Sequence, residues 1–78
     1  MKSSDVTKAI IIVRNLHKKE KEARRKYRNA ISKNDKVVAF VSWKETVFAV
    51  VGVEIAFIEF FHSNKNFDAE GFLESCRR

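Results

Sequence analysis

The chain has 78 residues, of which 45% are apolar and 33% charged, and its formal net charge is +6. That length allows one domain with a small core, and the apolar content excludes a disordered chain despite the charge. A single cysteine, Cys76, excludes an intrachain disulfide framework and a multi-cysteine zinc site, and the lack of proline with only two glycines speaks against a turn-rich all-β fold.

The first predicted element is a long helix from about Ser4 to Lys33. Ser3 or Ser4 can cap it, and Asp5 suits the positive end of a helix. Val6, Ala9, Val13, Leu16, Ala23, Tyr27 and Ala30 follow alternating steps of three and four, with Glu20 as the one polar interruption. Ile10, His17 and Ile31 widen that stripe. Glu20/Arg24 and Glu22/Lys26 stand in the favourable acid-first order for i,i+4 pairs. The run Ala9-Ile10-Ile11-Ile12-Val13 competes, because it favours a strand without alternating.

Polar residues Ser32 to Lys36 mark a turn, and most residues from Val37 to Phe61 are apolar. One stripe of this second segment contains Val37, Val41, Phe48, Val51, Ile55 and Ile58. Another contains Phe40, Trp43, Val47, Val50, Phe57 and Phe61. A helix apolar around most of its girth must be covered on several sides. Its longest charge-free run is only Thr46 to Val53, too short to span a bilayer. Ser42-Trp43-Lys44-Glu45 also reads as a capping box, which would leave Lys36 to Val41 as a strand paired with the isoleucine run. The third element follows Ser63 to Asn66. Asn66 or Asp68 can cap it, Ala69, Phe72, Leu73 and Cys76 form one apolar stripe, and Arg77 and Arg78 suit its C-terminal end. Ten residues do not make a stable isolated helix, so this one is expected to fold back on the second through Phe67, Phe72 and Leu73.

The expected fold is therefore all-α: one domain over residues 1–78, a long helical hairpin with a short C-terminal helix. The alternative is α+β with a short two-stranded sheet. So much apolar surface on one helix predicts self-association, most simply as a dimer, with Phe40, Trp43, Val47, Val50 and Phe57 at the interface. Gly52 and Ala56, small residues four apart, would allow close helix approach there; alternatively Gly52 makes room for an intrachain phenylalanine.

The region from His17 to Arg28 carries cations at 18, 19, 21, 24, 25, 26 and 28 against acids only at Glu20 and Glu22. On a helix Arg14, Lys18, Lys21, Arg25 and Arg28 share one outward face, which can engage phosphates with release of counterions. A solvated face on a basic protein gives the same pattern. No zinc-finger spacing, RNA-binding aromatic motif or helix-turn-helix turn specifies base readout. His17 and His62 do not converge in a hairpin, which places His17 near Gly52, so no metal site is expected. Glu54, if desolvated, is a candidate general acid, but solvent exposure or a cation from the first helix accounts for it as well. Glu54 and Glu59 lie about 140° apart on a helix and form no dyad. Cys76 has no adjacent histidine and reads as a small core residue. With no phosphate loop, GxSxG or HExxH motif, the expectation is a non-enzymatic protein without a cofactor.

Phe61 followed by Asn64-Lys65-Asn66-Phe67-Asp68-Ala69-Glu70-Gly71-Phe72-Leu73-Glu74-Ser75-Cys76 resembles an ending seen in small phage and prophage proteins of unknown function. There an aromatic helix end precedes Asn-Pro-x-Phe-Asp-x-x-x-Phe-Leu-x-x-Cys, and here Lys65 replaces the proline. The resemblance implies a mobile-element origin and no particular activity. Together these readings predict a cytoplasmic accessory or regulatory protein that contacts nucleic acid through its basic helix face and does not insert into membranes. The alternative is a protein-interaction module, an inhibitor or adaptor, that works through an apolar helix surface.

Overall fold

The computed structural model describes residues 3–78 and contains three helices: α1 (Ser3–Asn29), α2 (Lys33–Phe61) and α3 (Ala69–Arg77). No strand occurs among the described residues, so the isoleucine run is helical and Ser42 to Glu45 lie mid-helix rather than at a start. The chain measures 50 × 18 × 16 Å. A helix of α2's length is about 43 Å long and 10–12 Å across, so the fold is a long hairpin only two helices thick. Each helix therefore keeps an open side.

The first turn between helices comes earlier than Lys33. Ser32 adopts extended backbone and its side-chain oxygen accepts from the Asp35 amide at 3.0 Å, which starts α2 at Lys33. Ile31 falls into this break and is 96% exposed, so it does not extend the α1 stripe. Ser3 and Ser4 both lie within α1, and the position preceding it falls outside the described residues. The rest of the stripe behaves as its spacing predicts. Ala9 and Val13 are buried, and Val6, Leu16, Glu20, Ala23, Tyr27 and Ala30 are half-buried.

The core sits at one end, where α1, the second half of α2 and α3 meet. Ala9, Val13, Phe61, Phe72 and Cys76 form its buried cluster, with Val6, Ile10, Val53, Phe57, Ile58, Phe67 and Leu73 packed around it. Phe61 is the hub, its ring centroid 5.3 Å from that of Phe67, 6.1 Å from Phe57 and 6.4 Å from Phe72. Full burial of each such ring contributes about 1.5–3 kcal/mol. The predicted docking of α3 needs one correction: it packs along α1, and reaches α2 through Phe72, which meets Phe57 and Phe61. Asp68 occupies the N-cap position of α3 without making a side-chain capping bond. Its carboxylate lies over the first turn instead, 2.7 Å from where a Cβ on Gly71 would stand, and glycine leaves that space free.

Candidate functional site

Arg14, Lys18, Lys21, Arg25 and Arg28 recur every three or four residues, so the α-helical period gathers them on one face of α1. All five are exposed, and the face spans about 21 Å. Sequence spacing alone could place these. It could not place the end of α3, which arrives beside the same face. Arg14 Nε donates to the Ser75 carbonyl at 2.8 Å, satisfying a carbonyl in the last turn of α3 and setting a cation at the negative end of that helix. The contact brings Arg77 and Arg78 to the α1 cations. A cleft of about 340 Å³ results, lined by Arg14, Lys18, Lys21 and Arg24 from α1 and by Arg77 and Arg78. Arg25 and Arg28 lie outside the cleft and continue the stripe toward the hairpin loop.

The floor of the cleft holds His17, Glu20 and Cys76. Glu20, the polar interruption of the α1 stripe, accepts from Trp43 Nε1–H at 3.0 Å and lies 3.9 Å from Arg24. Glu22 and Lys26, the second expected pair, are not within ion-pair distance. Glu54 is buried, its carboxylate 3.4 Å from His17 Nε2. Its neighbour from the first helix is thus a histidine rather than a lysine or arginine, and burial leaves it no open approach for a substrate. Burial, reinforced by the negative charge of Glu54, pushes the Cys76 thiol up, while Arg14 and Arg77 pull the other way. Two acids near the cation cluster are engaged, Glu20 as above and Glu74, which lies 3.5 Å from Arg78, while Glu22 stays exposed beside the stripe. What remains is a surplus of positive charge on a rigid surface, suited to a polyanion.

The residues expected at an oligomer interface are placed differently. Val50 is buried by its own chain, Phe57 packs on the core, and Trp43 and Val47 are half-buried against α1. Phe40 is 45% exposed but meets the rings of Tyr27 and Trp43. With that stripe inward, Glu20 meets the Trp43 indole and His17 meets Glu54. The other stripe is open. Val37, Val41, Phe48, Val51 and Ile55 are all exposed, while Ile58 alone of that set packs on the core. A Cβ at Gly52 would meet nothing within 4 Å, so this glycine clears no space for an intrachain ring.

A larger depression of about 550 Å³ lies between the start of α1 and the segment leading into α3, with Asp68 its one charged lining residue. Its lining includes no cationic side chain. Among the described residues no group of three histidine, cysteine or carboxylate side chains could hold a metal ion, and no helix is long and apolar enough to cross a membrane. No family model, curated protein or solved structure matches the chain.

Proposed function

We propose that this is a small non-enzymatic accessory or regulatory protein of the cytoplasm that binds nucleic acid through the basic face of α1 and the end of α3. The observation that supports this reading is the convergence of cations from two helices on one cleft, with Arg25 and Arg28 extending the same stripe. Phosphates along one side of a backbone would occupy such a stripe without any base being read, so binding is expected to be tolerant of sequence. The resemblance of the tail to small phage proteins supports a mobile-element setting. The open stripe of α2 supports a further part of the reading, that the protein works as a homo-oligomer. It also favours a second reading, an adaptor or inhibitor whose exposed α2 residues engage another protein.

Salt separates the two. If all five stripe cations engage duplex DNA, log affinity falls with log salt at a slope of about −4 to −5. Lys21→Glu with Arg25→Glu should weaken that binding at least about tenfold and flatten the slope. Titration of duplex DNA and single-stranded RNA at two salt concentrations checks both. Unchanged binding of the double variant would overturn the nucleic-acid reading, and salt-independent capture of a protein partner would establish the second.

A further inference from the structure

We infer that the open stripe of α2 is the self-association surface, and that it meets a second copy of this chain in antiparallel register with the two-fold axis passing between Val51 and Gly52. The inference rests on the homo-oligomer reading above and adds to it the face, the direction and the register. Among the described residues six apolar ones are buried, whereas eleven large ones are exposed, five of them on this one stripe. It runs along α2 and suits a helix partner; in the antiparallel register Phe48, Val51 and Ile55 fall within the overlap of the two α2 helices and Val37 and Val41 lie beyond it.

Charge selects the arrangement. Lys44 lies in the stripe, its ammonium 5.7 Å from the centre of the Phe48 ring, and Glu59 lies on the same side two turns beyond Gly52. Parallel helices in register would set Lys44 against Lys44 and Glu59 against Glu59. With antiparallel helices centred between Val51 and Gly52, Lys44 of each copy faces Glu59 of the other, and Phe48 faces Ile55. Two opposite-charge pairs then flank the apolar contacts, as they flank helix seams generally. Gly52 falls at the crossing, where its missing side chain lets the backbones approach. Within its own chain nothing uses that space, although a glycine in mid-helix is unfavourable relative to alanine.

Solution mass over a concentration series, with helicity by circular dichroism, tests the proposal. Wild type should be a dimer. Phe48→Asp and Gly52→Leu, both at positions open to solvent in the single chain, should retain helicity and raise the dissociation constant more than about tenfold. Lys44→Glu should weaken the dimer, and Lys44→Glu with Glu59→Lys should restore it to within about threefold of wild type, since the opposing pair is rebuilt with its signs exchanged. A wild-type monomer overturns both this inference and the oligomer reading, including a monomer whose α2 face binds anionic lipid vesicles. A dimer indifferent to Phe48→Asp and Gly52→Leu leaves the oligomer reading standing and overturns the face. Failure of the charge exchange to restore the dimer overturns the register.

Discussion

The two ends of this hairpin are built from the same kinds of residue and reach different outcomes. At the α3 end three helices enclose Val13, Phe61, Phe72 and Cys76. At the loop end only two helices are present, every residue from Lys33 to Val38 is exposed, and cohesion comes from the rings of Tyr27, Phe40 and Trp43. Tyr27 and Trp43 stack with centroids 5.5 Å apart, yet no ring of the three is buried. Two helices can shield a seam; a third is needed to close a core around it. The short α3 therefore does more for stability than its length suggests, and the loop end should open first.

The sharpest test of that contrast is a pair of truncations. Phe61→Ala removes the hub of the ring cluster and should cost about 3–5 kcal/mol, most of the stability of a domain this small. Phe40→Ala at the loop end should cost about 1 kcal/mol, close to what an aromatic contact adds beyond burial. Urea denaturation followed by circular dichroism measures both, and comparable losses at the two ends would break the comparison.

A smaller effect is expected where the two regions join. His17→Ala leaves the Glu54 carboxylate buried without its partner and should cost about 1–3 kcal/mol. Glu54→Leu removes the polar group together with the need for a partner and should be close to neutral. If both substitutions cost the same, His17 contributes packing and the pairing is incidental.

The smallest effect concerns Cys76 within the three-helix core. Its thiol is raised by burial and by Glu54, so the folded chain holds the proton more tightly than the unfolded chain does. Below the ordinary thiol range both states are protonated and the contribution is fully present. As pH rises past that range the unfolded chain ionises first, and stability falls. Wild type should thus lose stability between pH 8 and pH 10 more steeply than Cys76→Ala, and parallel curves would show that the thiol is not protected. The same burial should make alkylation of Cys76 in native buffer limited by opening of the α3 end.

Much of α1 could be read directly. Its apolar residues keep to one face, so the stripe from Val6 to Ala30 and the opposing cations at Arg14, Lys18, Lys21, Arg25 and Arg28 follow from the helical period. The loop was legible as a polar cluster, although only the Ser32 cap shows why α1 stops at Asn29. The orientation of α2 was not legible in α2 itself, because both of its stripes are equally greasy. A signal lay in α1: a glutamate and a histidine on its buried face must find donors and acceptors, and in the folded chain Trp43 and Glu54 supply them. Of the residues expected between copies, Val50 is buried and Trp43, Val47 and Phe57 are half-buried within the chain, while Phe40 stays 45% exposed.

Local sequence determined three helices, the buried side of α1 and a line of positive charge, because each follows from spacing along a single helix. Tertiary structure alone decided which side of α2 turned inward, that α3 lies along α1, and that Arg24, Arg77 and Arg78 join Arg14, Lys18 and Lys21 around one cleft. Those outcomes depend on which polar groups on separate helices satisfy one another, as Arg14 does with Ser75 and Glu20 with Trp43, and no periodicity within one helix carries that information.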